Sequence, residues 1–422
     1  MTRHPGLRRP LRASAEAGRY RWVVLAAATF TQAASGFFVQ GIGAMGVHLR
    51  DALDLSAAQL GLLLSAAQLA PLAGLLVAGE LLDRHDERWV VGAGACVVAV
   101  SLAMGSLAPG YAALLLVLLV VGAGYSTVQP GGSKSVASWF DTSRRGLAMG
   151  IRQAGLPLGG VLAAAVLPAL AASAGWRATL VAGAVVAFLG AITFMTFCRR
   201  PPLHAPGTPA DAATSTGAAA GGRLRLLREP AMVRILVSGT SLVAVHSGIG
   251  ALTVLHLHET ASLAPGTAAL VFVAVQAAGA AGRICLAAWS DRGRPSASGR
   301  HLRSGRYSSV LACLVAVAVG LAALATPAGH SPVAASLLFV WLGFFGIGWY
   351  GPWVAHLAES APPGRTGFAL GSAMAVNQIA VILTPPALGL LTDVSHGFAP
   401  AWGLLAVISA TALALTIRTP RP

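Results

Sequence analysis

The chain is 422 residues long, 55% hydrophobic and only 10% charged, with a mean hydropathy of +0.71. Soluble domains carry about 25% charged residues, so this composition excludes an ordinary soluble protein and puts most of the chain in lipid. The net charge of +15 does not mark a nucleic-acid binder. Of the 29 basic residues, 24 fall in the N-terminus, alternate loops and the C-terminus, and a nucleic-acid patch has no reason to skip every second loop.

Residues 1–21 form a basic tail with six arginines, Arg3, Arg8, Arg9, Arg12, Arg19 and Arg21. The apolar run that follows is too long for a cleaved signal peptide and has no clean cleavage site. A backbone in lipid is satisfied only in helices or closed barrels. The apolar stretches here are long and do not alternate, and each span needs roughly 20 residues, so the expectation is an all-α integral membrane protein. Six spans are read in the first half: Trp22–Val47, Ala57–Glu80, Trp89–Ala108, Tyr111–Ala137, Gly146–Ala172 and Ala178–Cys198. Residues 199–230, rich in Pro, Gly, Ala and Thr and ending in a basic stretch, read as a flexible cytoplasmic linker. Six more spans follow within residues 231–422: Ile235–Leu257, Gly266–Trp289, Ser309–Ala325, Val333–Leu357, Gly367–Leu391 and Pro400–Ile417. Residues 22–198 and 231–422 are thus expected to form two six-helix bundles. The bias of Lys and Arg toward the cytoplasm places both termini in the cytoplasm, for a multi-pass protein of the cell (inner or plasma) membrane. The four cysteines, Cys96, Cys198, Cys285 and Cys313, lie within or at the ends of spans without metal spacing, and read as small packing residues.

The two halves match. Gly79-Glu80-Leu81-Leu82-Asp83-Arg84, running on to Arg88, is answered 208 residues later by Ser290-Asp291-Arg292-Gly293-Arg294. Arg145-Gly146-Leu147-Ala148-Met149-Gly150 is answered 221 residues later by Thr366-Gly367-Phe368-Ala369-Leu370-Gly371. Pro130 with Lys134 in the fourth span pairs with Pro352 and His356 in the tenth. Parallel repeats of this kind face each other across a central cavity.

On these residues the chain resembles the major facilitator superfamily. Its loop signature, roughly G-x-x-x-D-R-x-G-R-R, is matched by Gly79, Asp83, Arg84 and Arg88, with Asp86 in place of Gly and Glu87 in place of a basic residue. The second copy keeps Asp291, Arg292 and Arg294, with Ala287 in place of Gly. The resemblance implies twelve transmembrane helices in two pseudo-symmetric bundles and transport by alternating access. It also implies a conformational latch at Asp83 and, in the second copy, at Asp291. Gly282-Arg283 before Ser290-Asp291-Arg292 is similar to the monocarboxylate and oxalate–formate carriers, in which an arginine of that span binds substrate carboxylate.

The cations within the spans carry the chemistry. None of the 14 acidic residues lies mid-membrane, whereas Lys134, Arg152 and Arg283 lie within the fourth, fifth and eighth spans. A charge near the bilayer centre costs at least about 2.5–3.5 kcal/mol and needs a partner. Since the chain offers few carboxylates at that depth, a bound anion supplies the missing charge. The planar fork of arginine suits a carboxylate. Lys134 can instead reach the cytoplasm or pair with Asp141 or Glu80, and Arg283 can join Asp291 or Glu359; Arg152 has no obvious acidic partner. Gln153, Tyr125, Gln129, Asn377 and Gln378 are candidate hydrogen-bonding groups, with Gln32 and Gln40 on the first span. Trp349 and Tyr350, with Trp353, are candidates to wall or gate the cavity. His246 can carry a proton or simply pack. His256, His258 and Glu259 read as surface groups at an outer helix end.

The expected function is secondary transport of a small organic anion, a carboxylate, by proton symport or anion exchange. No phosphate-binding G-x-x-x-x-G-K-[ST] loop occurs, and no nucleophile–base pair or metal cluster points to an enzyme, so neither cofactor nor metal is expected. The expected partners are the anionic substrate, a co-transported proton and the lipid bilayer, around a monomer. Two alternatives stand. Gly155-Leu156-Pro157-Leu158-Gly159-Gly160 resembles an element of drug-efflux antiporters, with its Pro displaced by one residue. A solute sensor that does not transport would need an output domain that this chain lacks.

Overall fold

The structure is a computed structural model that describes residues 8–140, 142–199, 229–290, 305–360 and 366–417. Among these residues twelve helical segments are long and apolar enough to cross a membrane. The first half runs α1 (Arg8–Gly41), the short α2 (Gly46–Leu53), α3 (Ala57–Arg84), α4 (Glu87–Gly105), α5 (Tyr111–Tyr125), α6 (Val128–Trp139), α7 (Thr142–Ala174) and α8 (Trp176–Phe197). The second half runs α9 (Pro230–Glu259), α10 (Pro265–Ser290), α11 (Gly305–Leu324), a 3₁₀ turn (Pro327–His330), α12 (Pro332–Gly348), α13 (Tyr350–Ser360), α14 (Thr366–Ser395) and α15 (Ala399–Ile417). An even number of crossings puts Arg8 and Ile417 on one face. That face is the basic face below, and the opposite one the distal face.

Local chemistry sets the helix ends. Ser56 and Gln59 form a reciprocal capping box at the start of α3, Ser56 N–H to Gln59 Oε1 at 2.9 Å and Gln59 N–H to Ser56 Oγ at 3.2 Å. The Asp86 carboxylate caps α4 by accepting from Arg88 N–H at 2.9 Å. Gly175, at φ +81° and ψ 167°, joins α7 to α8 in a positive-φ conformation that only glycine takes without cost. The fourth crossing is split between α5 and α6, four residues ahead of Pro130, and the tenth between α12 and α13, three residues ahead of Pro352. Proline removes one ladder donor and crowds the carbonyl four residues back. The two breaks occupy equivalent places in the two halves.

Within the first half α1 packs on α7 and α8, and α4 on α8; within the second, α10 packs on α12 and α11 on α15. The halves meet along two crossings, α3 on α14 and α7 on α10. In the duplication α3 corresponds to α10 and α14 to α7, so the two crossings are related by the same pseudo-twofold axis. Glycine lets the backbones close: a side chain at Gly61 would meet the backbone of Pro385, and one at Gly282 the backbone of Phe344. The linker expected over 199–230 lies outside the described residues except at its ends.

Candidate functional site

Between the halves lies a cavity of about 480 Å³, lined from α1, α3, α5, α6 and α7 on one side and from α9, α10, α13, α14 and Trp349, in the break after α12, on the other. That is room for a small metabolite. Its wall holds one permanent cation, Arg283, and no Asp or Glu among the described residues. Glutamine dominates the rest of its polar surface, from Gln32, Gln40, Gln68, Gln129 and Gln153 in the first half and Gln276 and Gln378 in the second.

Arg283, on α10, is buried, with 8% of its surface exposed. Its Nη1 donates to the Gln153 carbonyl of the other half at 2.8 Å, and its Nε to the Ile347 carbonyl at 3.3 Å. The guanidinium carbon lies 5.8 Å from the centroid of the Tyr350 ring. No carboxylate pairs with it among the described residues. Tyr350, Trp349 and Trp353 form a run of edge-to-face rings, with centroids 5.6 and 5.4 Å apart. Trp349 and Tyr350 line the cavity, whereas the Trp353 indole turns away to donate to the Ile235 carbonyl at 2.8 Å. The break at Trp349 leaves Trp349 and Tyr350 in the cavity wall.

Arg152 corrects one expectation. It does not line the cavity, because Gln32 and Gln129 stand between it and the space and leave it fully buried. Its Nη2 donates to Gln32 Oε1 at 2.6 Å and to the Gln129 carbonyl at 2.5 Å, while Nε and Nη1 have no hydrogen-bond partner among the described residues. Gln32 in turn donates to the Tyr125 hydroxyl at 3.4 Å. The charge therefore reaches the cavity through Gln32 and Tyr125. Buried donors without partners are costly, about 1–3 kcal/mol each, and they are uncommon in folded proteins. Trp349, whose side chain lines the cavity, holds a third such donor in its buried Nε1.

Lys134 is a second correction. Its ammonium pairs with Glu87 at 3.2 Å and donates to the Leu82 carbonyl, with 44% of its side chain exposed, and it lies off the cavity. The acidic departure from the loop signature, Glu87, thus faces the chain's single lysine. Gln153, Gln129, Tyr125, His246, Asn377 and Gln378 all line the cavity. Asn377 accepts from Thr240 at 3.3 Å, and Gln378 donates across the halves to the Gln68 carbonyl at 2.9 Å. His256 is a third correction: it is buried under Phe339 and Phe398, bonded to Trp402 Nε1 at 3.1 Å and the Gly329 carbonyl at 3.0 Å. The 3₁₀ turn and α15 cover a position that the helix end alone would leave exposed.

In the signature loop Arg84 pairs with Glu80 at 2.5 Å on the surface, and Arg88 stacks over Trp89 with its guanidinium carbon 5.3 Å from the ring centroid. Gly79 lies on α3 with open space around it. The Asp83 side chain, Asp141, Asp291 and Arg292 lie outside the described residues. Sequence reasoning missed Gln68 and Gln276. Their signal was available, because they are polar residues in apolar runs separated by 208 residues, the offset that relates the two loop signatures.

A twelve-span, two-bundle fold around a cavity between the halves is the architecture of a membrane transporter. Residues 28–380 match the family model described as Major Facilitator Superfamily, and the chain belongs to that family. An uncharacterised MFS-type transporter of Mycobacterium tuberculosis is 26% identical over 94% of this chain and 84% of its own length. The 3-(3-hydroxy-phenyl)propionate transporter of Escherichia coli is 28% identical over 64% of this chain and 65% of its own. The hexuronate transporter of Bacillus subtilis is 24% identical over 36% of each. Among solved structures, a bacterial homologue of the human lysosomal transporter Spinster superposes with a TM-score of 0.74 at 17% identity, covering 94% of this chain and 96% of that one.

Proposed function

We propose that the chain moves a small organic carboxylate across the cell membrane by alternating access, with both termini in the cytoplasm. One observation carries this reading: Arg283 stands in the cavity wall with no described carboxylate beside it. A carboxylate cargo would supply the charge, held by the arginine fork. The Gln32–Arg152 pair adds positive potential from behind the wall. The glutamines and Asn377 suit hydroxyl, carbonyl or carboxylate oxygens on the rest of the molecule. Two relatives named for organic acids, hydroxyphenylpropionate and hexuronate, support the class. A cationic drug would meet Arg283 and no described acid, which counts against efflux of cations. The same absence counts against a carboxylate proton relay, leaving symport through His246 or the acid itself, or anion exchange. The loop from Gly79 to Arg88 is assigned the latch of the basic face on its resemblance to the family signature.

The test is a thermal-shift screen of purified protein against mono- and dicarboxylates, phosphate esters, nitrate and cyanate, followed by uptake of the best ligand into proteoliposomes. Stabilisation by carboxylates, lost in Arg283→Gln, supports the reading. Stabilisation by organic cations alone, or equal carboxylate binding by Arg283→Gln, overturns it.

A further inference from the structure

Asp393, near the end of α14, belongs to the second half; α3 begins the second crossing of the first half. The two carboxylate oxygens of Asp393 accept one hydrogen bond each from the backbone N–H groups of Ala57 and Ala58, both at 2.9 Å. The first four N–H groups of a helix have no partner within it, and the positive end of the helix dipole favours an anion. Ser56, the helix's own cap, serves Gln59 N–H. The carboxylate from the other half therefore takes two donors that the local cap leaves over.

Inward from this contact the crossing is closed rung by rung. The backbone at Ala57 leaves no room for a side chain at Gly389, and that at Pro385 leaves none at Gly61. Ser65 Oγ donates to the Ile382 carbonyl at 2.5 Å. Gln378 donates to the Gln68 carbonyl at 2.9 Å, and both residues lie in the cavity wall. On the same face Arg50 of α2 pairs with Glu259 at the end of α9. Gly43 approaches the Gly250 carbonyl too closely to carry a Cβ.

The duplication supplies an internal comparison. An offset of 208 residues takes Ala57 to Pro265, and one of 221 takes Asp393 back to Ala172. Proline has no N–H and alanine no side-chain acceptor, so the symmetry-related crossing of α7 and α10 keeps the N–H of Gly266, which answers Ala58, but neither the donor that answers Ala57 nor the carboxylate. The carboxylate clamp is a property of one crossing and is not imposed by the fold.

We propose that Asp393 is the latch of the distal gate: its carboxylate must leave the N-terminus of α3 before the distal face opens, and its strength sets how much of the protein is distal-closed. This goes beyond the cargo assignment and does not depend on it.

The test uses the full chain in lipid nanodiscs without ligand. The four cysteines are replaced by serine, and spin labels are attached through Asp51→Cys on α2 and Thr267→Cys on α10, both exposed on the distal side. Pulsed dipolar spectroscopy then reads the ratio of long to short distances. Asp393→Ala should raise that ratio about tenfold, the effect of losing a helix cap. Asp393→Asn, which keeps the shape and one acceptor oxygen but not the charge, should raise it about threefold. Ratios within twofold of the parent in both variants overturn the proposal. Should Asp393→Ala fail to fold, the Asn variant decides alone by the same two thresholds. Because no ligand is present, failure here is distinct from failure of the carboxylate reading.

Discussion

Replacing Arg152 by methionine separates a charge kept for cargo from one kept for folding. The side chain is fully buried, and its Nε and Nη1 lack partners. Removing those two donors relieves about 2–6 kcal/mol at about 1–3 each. Removing the two short bonds from Nη2 to Gln32 and Gln129 loses about 3–6 kcal/mol at about 1.5–3 each. The two sums nearly cancel, in line with buried charges that apolar residues replace at little cost. The apparent melting temperature of Arg152→Met should therefore move by no more than about 5 °C. Binding should change far more. A carboxylate one side chain away, at about 8 Å and an effective dielectric of about 20, gains about 2 kcal/mol from this charge, or about 30-fold in affinity. Thermal shift in detergent and carboxylate titration on the same sample read both quantities. Loss of folded protein, or an affinity within threefold of the parent, refutes the reasoning.

Arg283→Lys keeps the charge but loses the planar fork, so carboxylate affinity should fall about 10- to 100-fold in the same titration, the loss of one charge-assisted bond. Lys134→Met, which breaks a surface pair with Glu87 off the cavity, should leave that affinity within twofold. His256→Leu strands Trp402 Nε1 and the Gly329 carbonyl, each worth about 1–3 kcal/mol. It should lower the melting temperature by several degrees without changing affinity at constant temperature.

Much of the fold was legible because its signals are local. Twelve apolar runs of spanning length, arginines on alternate loops and two copies of a loop signature need no contact to be recognised: lipid demands the apolar runs of any chain that crosses it by helices, basic loops mark the cytoplasmic side, and the repeated motif is read directly along the chain. The pairing of Pro130 with Pro352 has a structural counterpart, as each proline follows a break in its crossing. The facing of side chains was not legible. In a soluble helix the apolar stripe tells which side is inward; in lipid both the packed and the lipid-facing sides are apolar, so rotation leaves no trace in the pattern.

Lys134, Arg152 and Arg283 therefore looked alike as basic residues in apolar runs. The sequence by itself determined that positive charge lies within the spans, with the acidic residues confined to their ends and the loops. Only the packing of the helices decided that Arg283 meets the cavity, Arg152 stands one side chain behind it and Lys134 turns to Glu87. It likewise buried His256 beneath the 3₁₀ turn and α15, and brought Asp393 to the start of a helix 336 residues earlier. These outcomes depend on helix rotation and on contacts between distant segments, which hydropathy along the chain does not encode.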